Sequence, residues 1–494
     1  MTIYKIRTRF IGAQLFVLLL ALLYEYLVGK SNDYTLILIY SLWNALSYVW
    51  LFFRELKYAS DFHPFQILAL VTAQFIGFSG IKSYSALMSG ENEYFGATLV
   101  NDAIYLGIIY LSLQHLILFG VFFYLENRRR RENRNELKIA ERIKGNSINY
   151  YSWAIGFYVF VWLLRLSSLF IPLASISSVL AGLSSGGYII SLFFLTFSMI
   201  KNPEKRRAGV LHWLIVAVEV ALVMNHGMKE EIIRTLVPYC IYLLIMYKAG
   251  YAKFNGRFLM KVGGIMVFVV YFVFPYVSIF RSISIDTGRS WDQISTTEAL
   301  SEYYNYINDK GRYANDDEER STGYLMSRAG AIGCNAFIID YTNKNGTSPQ
   351  FFKYCCMAII PRIIWPNKPA IVIGGLAYAL ATGDSNWMYS QSADRYGTAV
   401  SLGYIGSCYF CFGRLGAIML IMLHGILIWY FWNFFKSRMS YNVVALWAFA
   451  NIVFVILKDF ESFSDCGLNF MVFNLLYIFI CKYLYKGRSY SVAK

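Results

Sequence analysis

Charge is scarce in this chain. Only 15% of its 494 residues are Asp, Glu, Lys or Arg, while 57% are hydrophobic and 18% aromatic. Proline is rarer, with nine residues, and histidine rarer still, with five. A mean hydropathy of +0.45 excludes an ordinary soluble domain. No small-x-small cleavage site follows the first apolar run, so Lys5, Arg7 and Arg9 introduce a membrane helix expected to stay rather than a signal peptide. The eight cysteines include Cys355-Cys356 and Cys408-x-x-Cys411, but no second CxxC or His pair completes a zinc set, and they read as small buried hydrophobes.

What is present is length of apolar sequence. Windows of about 20 apolar residues, enough to cross a hydrocarbon core of about 30 Å, recur along the chain, so the backbone must satisfy itself within helices. An all-α polytopic bundle is predicted, not a barrel. Nine spans are expected, near 9–28, 34–53, 65–84, 100–124, 151–171, 178–200, 209–227, 232–248 and 262–280. The net charge of +15 sits in short loops between them: Arg54 and Lys57, Arg128–Lys144, Lys201–Arg207, and Lys248–Lys261. That placement marks cytoplasmic loops rather than a nucleic-acid interface.

Residues 281–413 break the pattern and are expected to form one long outward loop, followed by three closing spans in 414–494. Counting 398–412 as a thirteenth span would leave Lys436, Arg438 and the C-terminal cations outside. Placing 398–412 along the outer surface as a short helix restores the positive-inside pattern and gives about 12 spans. Three of the nine prolines fall in Ile359–Pro369, IIPRIIWPNKP, around Arg362 and Lys368. Prolines fix the backbone there, which makes those two cations the leading functional candidates of the loop. The stretch 281–397 holds 11 Lys/Arg and 12 Asp/Glu, so it is no simple cationic funnel.

Two motifs carry a resemblance. Gly403–Cys411 followed by Phe412-Gly413-Arg414-Leu415-Gly416, with Gly425 in the next span, resembles the "surface helix, G-x-x-G, span" signature of O-antigen polymerases and ligases. Pro361-Arg362 with Trp365-Pro366-x-Lys368-Pro369 looks like a segment of Wzy-type oligosaccharide repeat-unit polymerases. A third feature matches loosely: Asn225–Glu231, NHGMKEE, has lysine where the family's outer turn has arginine. The His-rich segment typical of the ligases has no clear match, which favours polymerase over ligase.

The resemblance implies a GT-C-like membrane glycosyltransferase of the bacterial inner membrane, with its active site on the periplasmic side. It would move a growing glycan from undecaprenyl diphosphate to the non-reducing end of a new undecaprenyl-diphosphate-linked repeat unit. A flippase or transporter of lipid-linked glycan, or a ligase, is the alternative. Implied partners are that lipid-linked oligosaccharide, membrane lipids, a chain-length regulator and a flippase; no nucleic acid is expected.

The chemistry needs a cation for the diphosphate, a base for the acceptor hydroxyl and access for lipid tails. The outward loop lacks an Asp-x-Asp metal motif, so no metal or cofactor is expected, and arginine forks can meet phosphate oxygens directly. Diphosphate candidates are Lys229, Arg234, Arg281, Arg328, Arg362, Lys368, Arg395 and Arg165. Arg165 lies inside a span, where a structural ion pair with Glu219 competes with the diphosphate role. Glu230 leads the candidates for the base and Asp340 follows, with Arg362 as the third catalytic candidate. Asp394 and His226 remain open alternatives.

Overall fold

A computed structural model describes residues 3–28, 34–59, 61–88, 93–94, 97–98, 101–131, 138–170, 174–204, 206–224, 229–250, 272–287, 293–308, 331–360, 364–365, 403–459 and 467–484. In chain order the helices are α1 Ile3–Val28, α2 Thr35–Tyr58, α3 Pro64–Thr72, α4 Ser79–Met88, α5 Asn101–Arg131, α6 Ile139–Gly145, α7 Tyr150–Phe170, α8 Ala174–Lys201, α9 Arg206–Met224 and α10 Lys229–Lys248. Then come α11 Phe274–Thr287, α12 Thr296–Asn308, α13 Ala331–Asn345, α14 Pro349–Ile359, α15 Tyr404–Lys436, α16 Val443–Leu457 and α17 Phe470–Phe479. A π-helical turn, Ala73–Phe78, joins α3 to α4. Among the described residues the only strands are the two-residue pair Glu93–Tyr94 and Ala97–Thr98.

The chain is all-helical, and among its described residues six helices are long and apolar enough to cross a membrane: Ile3–Tyr24, Thr35–Tyr58, Pro64–Ser85, Ala103–Arg129, Arg206–Met224 and Tyr404–Lys436. Their outward faces are apolar. Leu15, Phe16, Leu19 and Leu23 of α1 are exposed, an arrangement water would not tolerate over such an area and lipid requires.

The chain divides into two compact units. Unit 1 holds residues 1–136, 328–390 and 398–494; unit 2 holds 137–327 and 391–397.

Unit 1 has one basic end. Arg7 of α1 makes a bidentate pair with Glu55 of α2, at 2.6 and 2.8 Å, and its guanidinium lies 3.9 Å over the Phe65 ring. Lys436 pairs with Asp61 at 2.8 Å, His63 meets Glu126 at 3.2 Å, and Arg129 donates to Asn433. The start of α1, the end of α2, the start of α3 and the ends of α5 and α15 therefore meet at one level. Small residues bring α2 and the α3–α4 rod together: a Cβ on Gly77 would lie 2.5 Å from the Ala45 backbone, so only glycine fits.

One helix of unit 1 differs from the sequence expectation. Residues 404–411 do not lie along a surface; every one of them is buried. Within α15, Gly413 takes φ 68° and ψ −169°, a conformation open to glycine and costly for any residue with a Cβ. The chain reverses there. Before it, Ile405 meets Gln114 and Tyr409 meets Tyr110 of α5; after it, Gly425 packs on Leu118 and Val121, and Asn433 meets Arg129. Residues 404–412 thus climb α5 toward its N-terminus and 414–436 descend it. Within the stretch expected as an outward loop, α13 has Ala336, Ile338 and Ile339 buried, with Ala336 packed on Gly107 of α5. Asn335 also accepts from the Gly406 N–H at 3.0 Å, satisfying a donor in the first turn of α15.

In unit 2, α7 packs on α8 through Tyr150, Trp153 and Phe157 against Phe194 and Phe197, with Ser191 donating to the Ala154 carbonyl at 2.7 Å. Val223 of α9, Ile232 of α10, Tyr276, Val277 and Phe280 of α11, and Ala299 of α12 form a second core.

Candidate functional site

The expected site residues fall in both units. In unit 2, Arg165 donates two hydrogen bonds to Glu219, at 2.9 and 2.6 Å, across α7 and α9. Glu219 is fully buried and Arg165 is 23% exposed, so the structural ion pair, one of the two roles open to Arg165, is present. A buried carboxylate left alone would be far costlier than the pair. Lys229 and Glu230 occupy the first turn of α10, and their side chains lie outside the described set, as does that of Arg281 in α11. Arg234 is half-buried one turn further along α10. In unit 1, Asp340 pairs with Lys344 at 2.7 Å one turn along α13, partly exposed. Arg328, Arg362, Lys368 and Arg395, with the alternatives Asp394 and His226, lie outside the described residues. Among the described residues, no group of three or more His, Cys, Asp or Glu side chains is arranged to hold a metal.

The far end of unit 1 carries a further cation, the arginine of the Phe412-Gly413-Arg414-Leu415-Gly416 motif. Arg414 follows the Gly413 reversal at the head of the descending part of α15, about 33 Å along the helix from Lys436 at 1.5 Å per residue. Its guanidinium faces the phenol oxygens of Tyr110 and Tyr409. Tyr409 donates its own hydrogen to Asn343 at 2.6 Å, so its oxygen is free to accept from Arg414. Two phenols can take two of the five guanidinium N–H groups, which leaves three for a ligand. No carboxylate lies within ion-pair distance of Arg414 among the described residues. Its charge is held in place and, among the described residues, is not answered by a carboxylate.

The local sequence explains the arrangement. Gly413 permits the reversal, Gly416 accommodates the Phe412 side chain, to which an added Cβ would come within 2.3 Å, and Tyr409 stands on the buried helix that faces Tyr110 at 5.1 Å. Ser348 at the start of α14 donates its N–H to the Phe410 carbonyl at 2.8 Å, which ties the turn down from its other side. The legible signal was the spacing of a lone arginine between two glycines at the head of an apolar span.

A family model described as a domain of unknown function, DUF8712, matches residues 135–480. No curated protein and no solved structure matches the chain.

Proposed function

Since the chain belongs to the DUF8712 family, whose description assigns no activity, we propose a function from the membrane architecture and the Arg414 site. The chain is a membrane glycosyltransferase that polymerises lipid-linked oligosaccharide repeat units, using undecaprenyl diphosphate as the leaving group. On this reading it has about twelve spans of GT-C-like arrangement in the bacterial inner membrane, and the far end of unit 1 faces the periplasm. The observation that carries it is Arg414, an arginine with no carboxylate partner among the described residues, at the head of an apolar helix of span length. A carrier diphosphate emerges from the bilayer at that height, and a preorganised guanidinium can neutralise the charge that develops as the glycosidic bond breaks. Arg362 and Lys368 join it on the strength of the Pro-Arg and Trp-Pro-x-Lys-Pro resemblance. Glu230 or Asp340 would take the proton of the acceptor hydroxyl.

One observation favours a second reading, a transporter for the same lipid-linked glycan. The reversal at Gly413 gives a buried half-helix inside the bundle, and interrupted helices are a recurring device of transporters.

The purified protein in nanodiscs, given a lipid-diphosphate repeat unit, should produce a ladder of products. Arg414→Ala should slow it about 10²–10³-fold, the typical effect of removing one donor to developing charge, and Arg414→Lys should recover only part because it keeps charge but loses the fork. A single addition onto a different acceptor would identify a ligase. Movement of labelled lipid across liposomes with no new glycosidic bond would sink the enzyme reading.

A further inference from the structure

Three polar residues unused by the proposed reaction meet in the interior of unit 1. Thr72 of α3 and His115 of α5 are fully buried, and Asp459, just past α16, is 4% exposed. The Thr72 hydroxyl lies 2.6 Å from His115 Nδ1 and 2.6 Å from the Leu68 carbonyl. His115 Nε2 lies 2.6 Å from Asp459 Oδ1, off the line its N–H would take. Gln114 donates toward the same carboxylate oxygen at 3.4 Å and accepts the Ile405 N–H at 3.0 Å.

Proton counting exposes what this arrangement does. The hydroxyl has one hydrogen and two acceptors in reach. If it donates to Leu68, then Nδ1 must carry a hydrogen and donate back to Thr72. Nε2 and the Asp459 oxygen then face each other at 2.6 Å and need one proton between them. If the hydroxyl donates to Nδ1 instead, Nε2 carries the only ring hydrogen and Asp459 is a bare carboxylate. The two arrangements differ by one proton and by one hydroxyl rotation.

Asp459 occupies its place against three local preferences. It is the one non-glycine residue at positive φ among the described residues, at 53°, where a helix end ordinarily takes glycine. Its carboxylate stands at the C-terminal end of α16, the negative end of the helix dipole. It is also buried in an apolar bundle, where ionisable side chains are costly and mark proton or ion pathways. The first preference costs about 1 kcal/mol or more.

We propose that Thr72, His115 and Asp459 form a proton-binding site in the interior of unit 1, coupled through Gln114 to the buried half-helix that begins at Tyr404. Gln114 is the coupling element because it touches both the carboxylate that gains or loses the proton and the first turn of that helix. The other titratable and charged groups that bear on the site are Tyr404 and His424, whose rings meet at 4.6 Å on α15, and Lys458, the chain neighbour of Asp459. Among the described residues, Thr72, Gln114 and Asn335 on the neighbouring elements are neutral. This site does not depend on the glycosyltransferase reading; it stands equally in an enzyme or a transporter.

The test is pH-difference infrared spectroscopy on the full chain in nanodiscs. Acidification should raise a protonated-carboxyl band that Asp459→Asn removes, and His115→Gln should shift the frequency of that band, because the carboxyl loses its imidazole hydrogen-bond partner. A band untouched by Asp459→Asn, or one whose frequency is unmoved by His115→Gln, overturns the proposal. Where either variant fails to fold, selectively ¹⁵N-histidine-labelled wild-type protein decides: Thr72→Ser, which keeps the hydroxyl, provides the assignment. His115 should change its ring-nitrogen shifts with the same midpoint as the infrared band. Ring-nitrogen shifts constant across the range overturn the site.

Discussion

Arg7 and Arg414 are both arginines of unit 1 set against aromatic rings, and they are held in opposite ways. Arg7 is 3% exposed, stacks on Phe65 and has both oxygens of the fully buried Glu55 on its guanidinium. Arg414 is exposed and faces two neutral phenols. The first geometry satisfies the cation and closes the basic end of the bundle. The second orients a cation and leaves its charge available. Arg7 is answered by charge; Arg414, which on the proposed reading binds the diphosphate, is answered by phenols that position it without neutralising it.

The comparison breaks first at Glu55. Glu55→Ala should destabilise the protein by about 3–5 kcal/mol, because Arg7 would remain buried and unpaired; thermal unfolding in detergent measures it, and a loss below about 1 kcal/mol would show that the pair is ornamental. A smaller effect follows from His63 at the same end. Burial lowers its pKa below the usual 6.5, while Glu126 beside it pulls the other way. The unfolded chain therefore takes up a proton that the folded chain resists. The stability His63 lends is present above about pH 6.5 and is lost as pH falls through the folded value. His63→Asn should flatten the decline of unfolding temperature between neutral and mildly acidic pH, and an unchanged slope would assign the decline to other groups.

How far these features were legible in sequence depended on the range of the signal. Apolar runs of span length predicted the helices because lipid imposes that pattern on each helix separately, and Arg165 with Glu219 could be proposed as a pair because each is a lone charge in an apolar span. The burial of 404–411 was not legible. Its Gly, Ser, Cys and Tyr residues suit an interface as well as an interior, and the decision rests on Gln114 and Asn335, which lie far away in the sequence and satisfy its first N–H groups. The Thr72–His115 contact joins residues 43 apart and the Gln114–Asp459 contact residues 345 apart, and no local pattern announces either. The loop 281–413 read as external from its polarity and its place after the ninth span, and nothing local announced that Ala336 of α13 inside it fits Gly107.

The central claim is that Arg414 is an oriented cation awaiting a phosphate-bearing lipid. Binding of undecaprenyl diphosphate to the wild type and to Arg414→Ala in nanodiscs of neutral lipid tests it most directly, with thermal unfolding run in parallel. A lost charge-assisted hydrogen bond is worth about 1.5–3 kcal/mol, so the variant should bind about tenfold or more weakly while its unfolding temperature stays within that of an ordinary surface substitution. Equal affinity in the two proteins, or a loss of affinity matched by a loss of stability, would contradict it.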